Sequence, residues 1–173
     1  NISVLELILT QIGSRLDYGS PYQVTGGMHG VGLSAVNALS ESLTVEVKRD
    51  GHLYRQTYQK GYPTTPVETI RPLTSDETTA TSIPLQGDTT ILQTARFEFM
   101  TLVHRFRDIA YLLPQLTLTL RDERSSEPLE YVFHYPNGLA EFITQLNQGY
   151  STLHEVIAAS AETEFHPNTE RAY

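Results

Sequence analysis

Apolar positions in this chain recur in two rhythms, one of three to four residues and one of two, and each rhythm predicts a different element. In residues 4–12, VLELILTQI, the residues Leu5, Ile8, Leu9 and Ile12 fall at helical spacing and Gly13 offers a stop, so a short helix is expected. Residues 14–23, SRLDYGSPYQ, have no period and read as a loop of some ten residues. After a glycine cluster, Leu33, Val36, Asn37 and Leu39 predict a helix of about three turns. Residues 43–48 and 52–58 then alternate in period two around Arg49-Asp50-Gly51, and Asp-Gly between alternating segments predicts a hairpin. Residues 61–88, rich in Thr and Pro, read as connections with one strand near 78–85. The plainest helix is 96–113, where Phe99, Leu102, Val103, Phe106, Ile109, Ala110 and Leu113 form one stripe, His104, Arg105 and Asp108 fall off it, and Pro114 ends it. Residues 116–122 and 129–135 alternate again across a polar ERSSEP turn, and Asn137 is placed to cap a last helix over 139–147. Helices interleaved with antiparallel hairpins predict an α+β fold, a sheet layered by helices.

Composition changes this picture little. With 173 residues and 39% apolar content, the chain is long enough for one domain with a core and a fragment of a second. The absence of cysteine excludes a disulfide framework and thiolate metal sites and fits a reducing compartment, so the cytosol is expected. No apolar run approaches the roughly 20 residues of a membrane helix, so no membrane partner is expected. A formal charge of −8 argues against a broad nucleic-acid-binding face, although Arg105 and Arg107 lie close together.

The stretch that carries chemistry is QVTGGMHGVGLSAVNALS, residues 23–40. Gly26, Gly27, Gly30 and Gly32 stand directly before a helix. Helix N-termini expose unpaired N–H groups and a partial positive charge, and glycines let backbone approach an anion closely. The stretch is therefore a phosphate-cradle candidate, while spacing alone leaves equally open that the glycines only let a tight loop pack. It is neither a dinucleotide GxGxxG, since no strand precedes it, nor a P-loop, since it lacks the Gly-Lys-Ser/Thr ending.

Three stretches decide between these readings: GGMHGVGLSAVNALS with the hairpin VEVKRDGHLYRQTYQKG, then FEFMTLVHRFRDIAYLLPQLTLTLRDER, then HYPNGLAEFITQLN. Together they resemble, over residues 4–160, the ATPase domain of the DNA gyrase B and topoisomerase IV family, a GHKL-type ATPase. The resemblance implies a Bergerat-type two-layer α/β sandwich, a mostly antiparallel sheet with helices on one face, incomplete here at the N-terminus. It implies a partial ATPase domain over 1–150, with a lid over 13–32, and a tail or the start of a transducer domain over 151–173. By position, Met28, His29, Gly30, Val31 and Gly32 would offer backbone N–H groups to the phosphates of ATP, and Gly26 and Gly27 would hinge the lid. Tyr22 matches the lid tyrosine near adenine, Thr78 a threonine that helps hold adenine, and Arg55 an arginine at the pocket rim. Each has a plainer alternative: a packing histidine, a loop tyrosine, a strand threonine, a solvated hairpin cation.

The departures matter as much. The family's water-activating glutamate, Mg²⁺-holding asparagine and adenine-reading aspartate lie upstream of the segment that matches Asn1, so no catalytic residue or metal ligand is assigned. Glu6 and Asp17 match no catalytic position and are expected at the surface. In the lid, GSRLDY replaces the family's His-Ala-Gly-Gly-Lys-Phe, with Arg15 in place of a phosphate-binding lysine, and Glu77, Ser82 and Ile83 replace a glycine and two aromatics near the adenine strand. The resemblance implies ATP and Mg²⁺ as cofactors, and as partners a second copy or a completing polypeptide, a gyrase-A-like subunit and DNA. Two functions follow: part of an ATP-dependent type II topoisomerase, in which nucleotide binding closes a dimer gate for strand passage, or a diverged interaction module without hydrolysis.

Overall fold

Ser3 starts the first helix, α1 (Val4–Thr10): its Oγ accepts a hydrogen bond from the Glu6 N–H at 3.1 Å, satisfying one of the free amides of the first turn. Gly13, at φ +74°, lies just past its end. The computed structural model describes residues 2–13 and 30–159. The chain divides into two units, Asn1–Arg96 and Phe97–Tyr173.

In the first unit, α1 is followed by α2 (Gly32–Ala38) and then six strands: β1 (Ser40–Arg49), β2 (His52–Gln59), β3 (Tyr62–Pro63), β4 (Glu68–Pro72), β5 (Ala80–Ser82) and β6 (Leu85–Gly87). β1 and β2 form the expected hairpin in full register from Leu43↔Tyr58 to Arg49↔His52. Its turn is Asp50-Gly51, both at positive φ (50° and 74°), as a two-residue hairpin turn requires. β3 and β4 pair with β2 on one side, and β5 and β6 with β1 on the other, all antiparallel. Residues 61–88 thus supply four short strands where one was expected. They are two to five residues long and almost wholly exposed, so they carry no period-two signal and borrow their conformation from β1 and β2.

The pleat sends Leu43 and Val45 of β1 and Tyr58 of β2 to one face, where they enclose Leu9 of α1, which is 2% exposed; Leu5, Val47 and Ile83 close the edges of this cluster. Burying a leucine so completely stabilises the fold by about 1.5–3 kcal/mol. The opposite face is charged: Glu46 and Arg55 stand opposite each other in register and pair at 2.6 Å. Glu6 is not a free surface acid. Gln56, fully buried, donates to Glu6 Oε2 and to the Thr65 carbonyl, both at 3.1 Å, and accepts from the Tyr58 hydroxyl at 2.7 Å. Burial first, and Glu6 second, push the Tyr58 phenol well above its ordinary value.

The second unit is α3 (Phe99–Leu112), the hairpin β7 (Leu118–Asp122) and β8 (Leu129–Phe133), and α4 (Gly138–Leu146). Val103 and Ala110 of the α3 stripe bury against Phe133, with Phe99, Phe106, Leu118, Leu120 and Tyr135 around them. Tyr111 stacks on Tyr135 at 3.8 Å, leans on Phe142 of α4 at 4.9 Å and donates its hydroxyl to Gln145. Gly138 opens α4 at φ +52°, so close to the end of α3 that a Cβ there would stand 2.9 Å from Pro114 Cγ and 3.1 Å from the Tyr111 carbonyl. Asn137 occupies the N-cap position, but its side chain makes no capping bond; instead the Glu141 carboxylate accepts from the Asn137 N–H at 3.4 Å. The observed architecture is α+β with antiparallel pairing and four helices among the described residues, as expected.

Candidate functional site

The N-terminal turn of α2 combines two departures from what a helix alone would select. Gly30 sits in the left-handed region at φ +60°, where a side chain is unfavourable, so the turn into the helix needs a glycine there. Gly32 is different: its φ is not positive, it is the first residue of α2, and a Cβ added to it would meet no atom within 4 Å among the described residues. Neither backbone geometry nor packing within the described chain asks for glycine at 32, and alanine would suit the helix better. The N-cap residue of α2, Val31, makes no side-chain capping bond, and the Ser34 hydroxyl turns to the Val31 carbonyl at 3.0 Å. The first-turn amides of a helix have no acceptor inside it, so this one presents N–H groups next to an uncovered glycine. The Gly13 N–H donates to the Gly30 carbonyl at 3.1 Å, which fastens this turn to the end of α1.

The structure brings together Gly30, Val31 and Gly32 of the expected site. Tyr22, Gly26, Gly27, Met28 and His29 lie outside the described residues. Arg55 is elsewhere: it lies on the sheet face turned away from α1 and α2, and its Nε and guanidinium engage Glu46 Oε1 at 2.8 and 2.6 Å. Thr78 is exposed in the connection leading into β5. The residue before it, Glu77, is fastened to the sheet: Arg71 binds its two oxygens at 2.6 and 2.8 Å, Lys48 reaches it at 2.7 Å, and the Thr74 N–H donates to it at 3.0 Å. Arg71 first, then Lys48, hold the Glu77 carboxyl far below the usual carboxylate range.

Comparison with known proteins gives this geometry a context. No protein-family model matches the chain. Over 157 residues it is 40% identical to the DNA gyrase B protein of Thermotoga maritima, an alignment covering 90% of this chain and 24% of that protein. To the DNA topoisomerase 4 B protein of Enterococcus faecalis it is 39% identical over 166 residues, covering 94% of this chain and 24% of the relative. Its structure superposes on the 43K ATPase domain of Thermus thermophilus gyrase B, solved in complex with an aminocoumarin, with a TM-score of 0.72 at 30% identity, covering 89% of this chain and 37% of that one. The chain belongs to the gyrase B and topoisomerase IV B family. Within that family it corresponds to the ATPase-domain region and spans about a quarter of the length of the curated relatives it matches.

For this gyrase-B-family chain, the structural roles that the sequence left unread are those of the residues that seat α2 and fasten the sheet: Asn37, the Gln56 network and Glu77. Asn37 left one signal, a polar residue at an apolar helical spacing, which marks a buried group with partners. It is fully buried, and its Nδ2 donates to the Leu9 carbonyl at 3.0 Å and the Gly61 carbonyl at 3.2 Å. Among the described residues no group of three or more His, Cys, Asp or Glu is gathered that would hold a metal ion. No helix among them is long and apolar enough to cross a membrane.

Proposed function

We propose that this chain contributes the phosphate cradle of an ATP-binding domain of the gyrase B type, with the backbone N–H groups over residues 28–32 directed at the phosphates. The observation that carries the reading is Gly32, a helix-opening glycine that neither its backbone nor its neighbours among the described residues require, and beside which no described atom would meet a Cβ. Backbone amides at a helix N-terminus bind anions through directed hydrogen bonds and the helix dipole, and a missing Cβ lets phosphate oxygens approach. Gly26 and Gly27 would hinge the segment over 13–32 as a lid. The Gly13 to Gly30 hydrogen bond, which joins the two ends of that segment, supports this role.

In the whole protein, ATP held here would order the lid and favour closure of a dimer gate, coupling nucleotide to strand passage of DNA by a cytosolic topoisomerase. The partners in that reading are a second copy or a completing polypeptide, a gyrase-A-like subunit and DNA. Bound ATP would supply the triphosphate whose hydrolysis resets the gate; this chain's own residues bind and orient it, and no step is assigned to Mg²⁺. A second reading, nucleotide binding or partner binding without turnover, is favoured by the commitment of Arg55 to Glu46.

Titration of a non-hydrolysable ATP analogue by calorimetry, with and without Mg²⁺, tests the proposal. Saturable binding that is lost in Gly30→Ala and Gly32→Ala is the expected result. Absence of binding at millimolar nucleotide overturns the cradle, and leaves the interaction module as the better account.

A further inference from the structure

The way α2 is held in place is unusual for so short a helix. Its seven residues carry no side-chain cap and no charge in the first or last turn. Its larger apolar residues are not its buried face: Leu33 and Val36 are 43% and 39% exposed, and Leu39 just past its end is 40% exposed, while the buried residues are Ser34 and Asn37. Ser34 spends its hydroxyl inside the helix, on the Val31 carbonyl. Asn37 is therefore the buried side chain of α2 that reaches out of it, with one NH₂ group shared between the Leu9 carbonyl of α1 and the Gly61 carbonyl in the turn between β2 and β3.

Both partners are fixed points. Leu9 is locked in the core, and Gly61, at φ +85°, lies so close to α2 that a Cβ on it would come within 3.2 Å of Ala38 Cα. The Lys60 N–H donates to the Ser40 carbonyl at 3.0 Å, which holds the same turn against the start of β1. Because both acceptors are carbonyls, the amide has only one productive orientation, and its Oδ1 is left without a partner among the described residues. A buried amide that leaves one acceptor unmatched in order to keep two donor bonds is retained at a cost to stability.

We propose that Asn37 is a positioning residue for the phosphate cradle: it sets the height and rotation of α2 and so aims the amides of Gly32 and Leu33. This rests on the reading of α2 as the cradle given above. Removing the two donor bonds loosens a helix whose larger apolar residues are only partly buried and leaves the Gly13 to Gly30 bond as the tie at its N-terminal end, so the N-terminal amides lose part of their fixed direction.

The test compares Asn37→Ala with Leu53→Ala, a control that opens a buried site on the sheet face turned away from α2. Both are assayed in the full chain under conditions where each is folded. In Asn37→Ala, the ¹⁵N–¹H resonances of Gly30, Gly32 and Leu33 shift, and the protection of the Gly13 amide against hydrogen exchange falls at least about tenfold, as expected when a tie of this strength is lost. In Leu53→Ala these signals stay where they are. Affinity for a non-hydrolysable ATP analogue weakens about tenfold or more in Asn37→Ala alone. If Asn37→Ala does not fold, Asn37→Ser, which keeps one donor, carries the same comparison. Equal behaviour of the two variants at Gly30, Gly32 and Leu33 overturns the positioning role. Displaced resonances in Asn37→Ala with no nucleotide binding by the wild type would uphold the seat of α2 and overturn the phosphate reading instead.

Discussion

Replacing Gly32 by alanine should move stability and ligand affinity in opposite directions. Gly32 has no positive φ, stands at the first position of α2 and has no atom within 4 Å of the place a Cβ would take among the described residues. Alanine is favoured over glycine by about 0.8–1.0 kcal/mol in a helix interior, and part of that gain comes from restricting the unfolded chain. At a helix start the gain is smaller, so Gly32→Ala should stabilise the fold by about 0.5 kcal/mol and raise the urea midpoint. Gly30→Ala, two residues earlier at φ +60°, forces a side chain into the left-handed region and should destabilise by about 1–2 kcal/mol. For the ATP analogue, both variants should bind at least about tenfold more weakly, equivalent to about 1.4 kcal/mol. The decisive variant is Gly32→Ala, because weaker binding by a more stable protein has no explanation in damage to the fold. Wild-type affinity in Gly32→Ala, or a loss of stability on the scale of the Gly30 variant, would refute the reasoning.

Two further outcomes follow from the geometry. Gly138→Ala combines a left-handed φ of +52° with a Cβ 2.9 Å from Pro114 Cγ, and should destabilise the chain by about 2–4 kcal/mol in urea unfolding; a change within about 0.5 kcal/mol would mean that the junction of α3 and α4 is looser than it looks. Glu77 has a folded-state pKa depressed by Arg71 and Lys48, so its contribution to stability is fully present above the ordinary carboxylate range of about 4.3 and is lost as pH falls through the lower folded value. Glu77→Gln should lower the urea midpoint at pH 7 and flatten its decline below about pH 4.3, and an unchanged acid profile in that variant would sink the assignment.

Where local chemistry decides the conformation, the chain could be read directly. Asp50-Gly51 announces its own turn, and the stripe from Phe99 to Leu113 announces α3, because in each case the determining residues are neighbours in sequence. The second hairpin turn, Lys60-Gly61, went unread although its backbone repeats the first, with φ of 50° and 85°; lysine gives no turn signal. Strands β3 to β6 were invisible for a related reason: they are exposed and short, and their pairing is dictated by β1 and β2 rather than by any pattern of their own. In the site, the glycines declare backbone freedom, and Gly30 and Gly32 do open α2. The places of Arg55 and Thr78 depend on which face of the sheet a residue takes and on what pairs with it there. The Glu46 carboxylate across the hairpin and the Arg71 and Lys48 clamp on Glu77 become visible only in three dimensions.

The claim on which the functional account stands is that the amides at the start of α2 receive phosphate. It is tested most directly by following the ¹⁵N–¹H resonances of Gly30, Val31, Gly32 and Leu33 while a non-hydrolysable ATP analogue is added. Saturable shifts concentrated at these four residues, and small on the charged sheet face around Arg55 and Glu46, are the expected result. Resonances that stay fixed at millimolar nucleotide, or shifts that gather elsewhere in the chain, would contradict it.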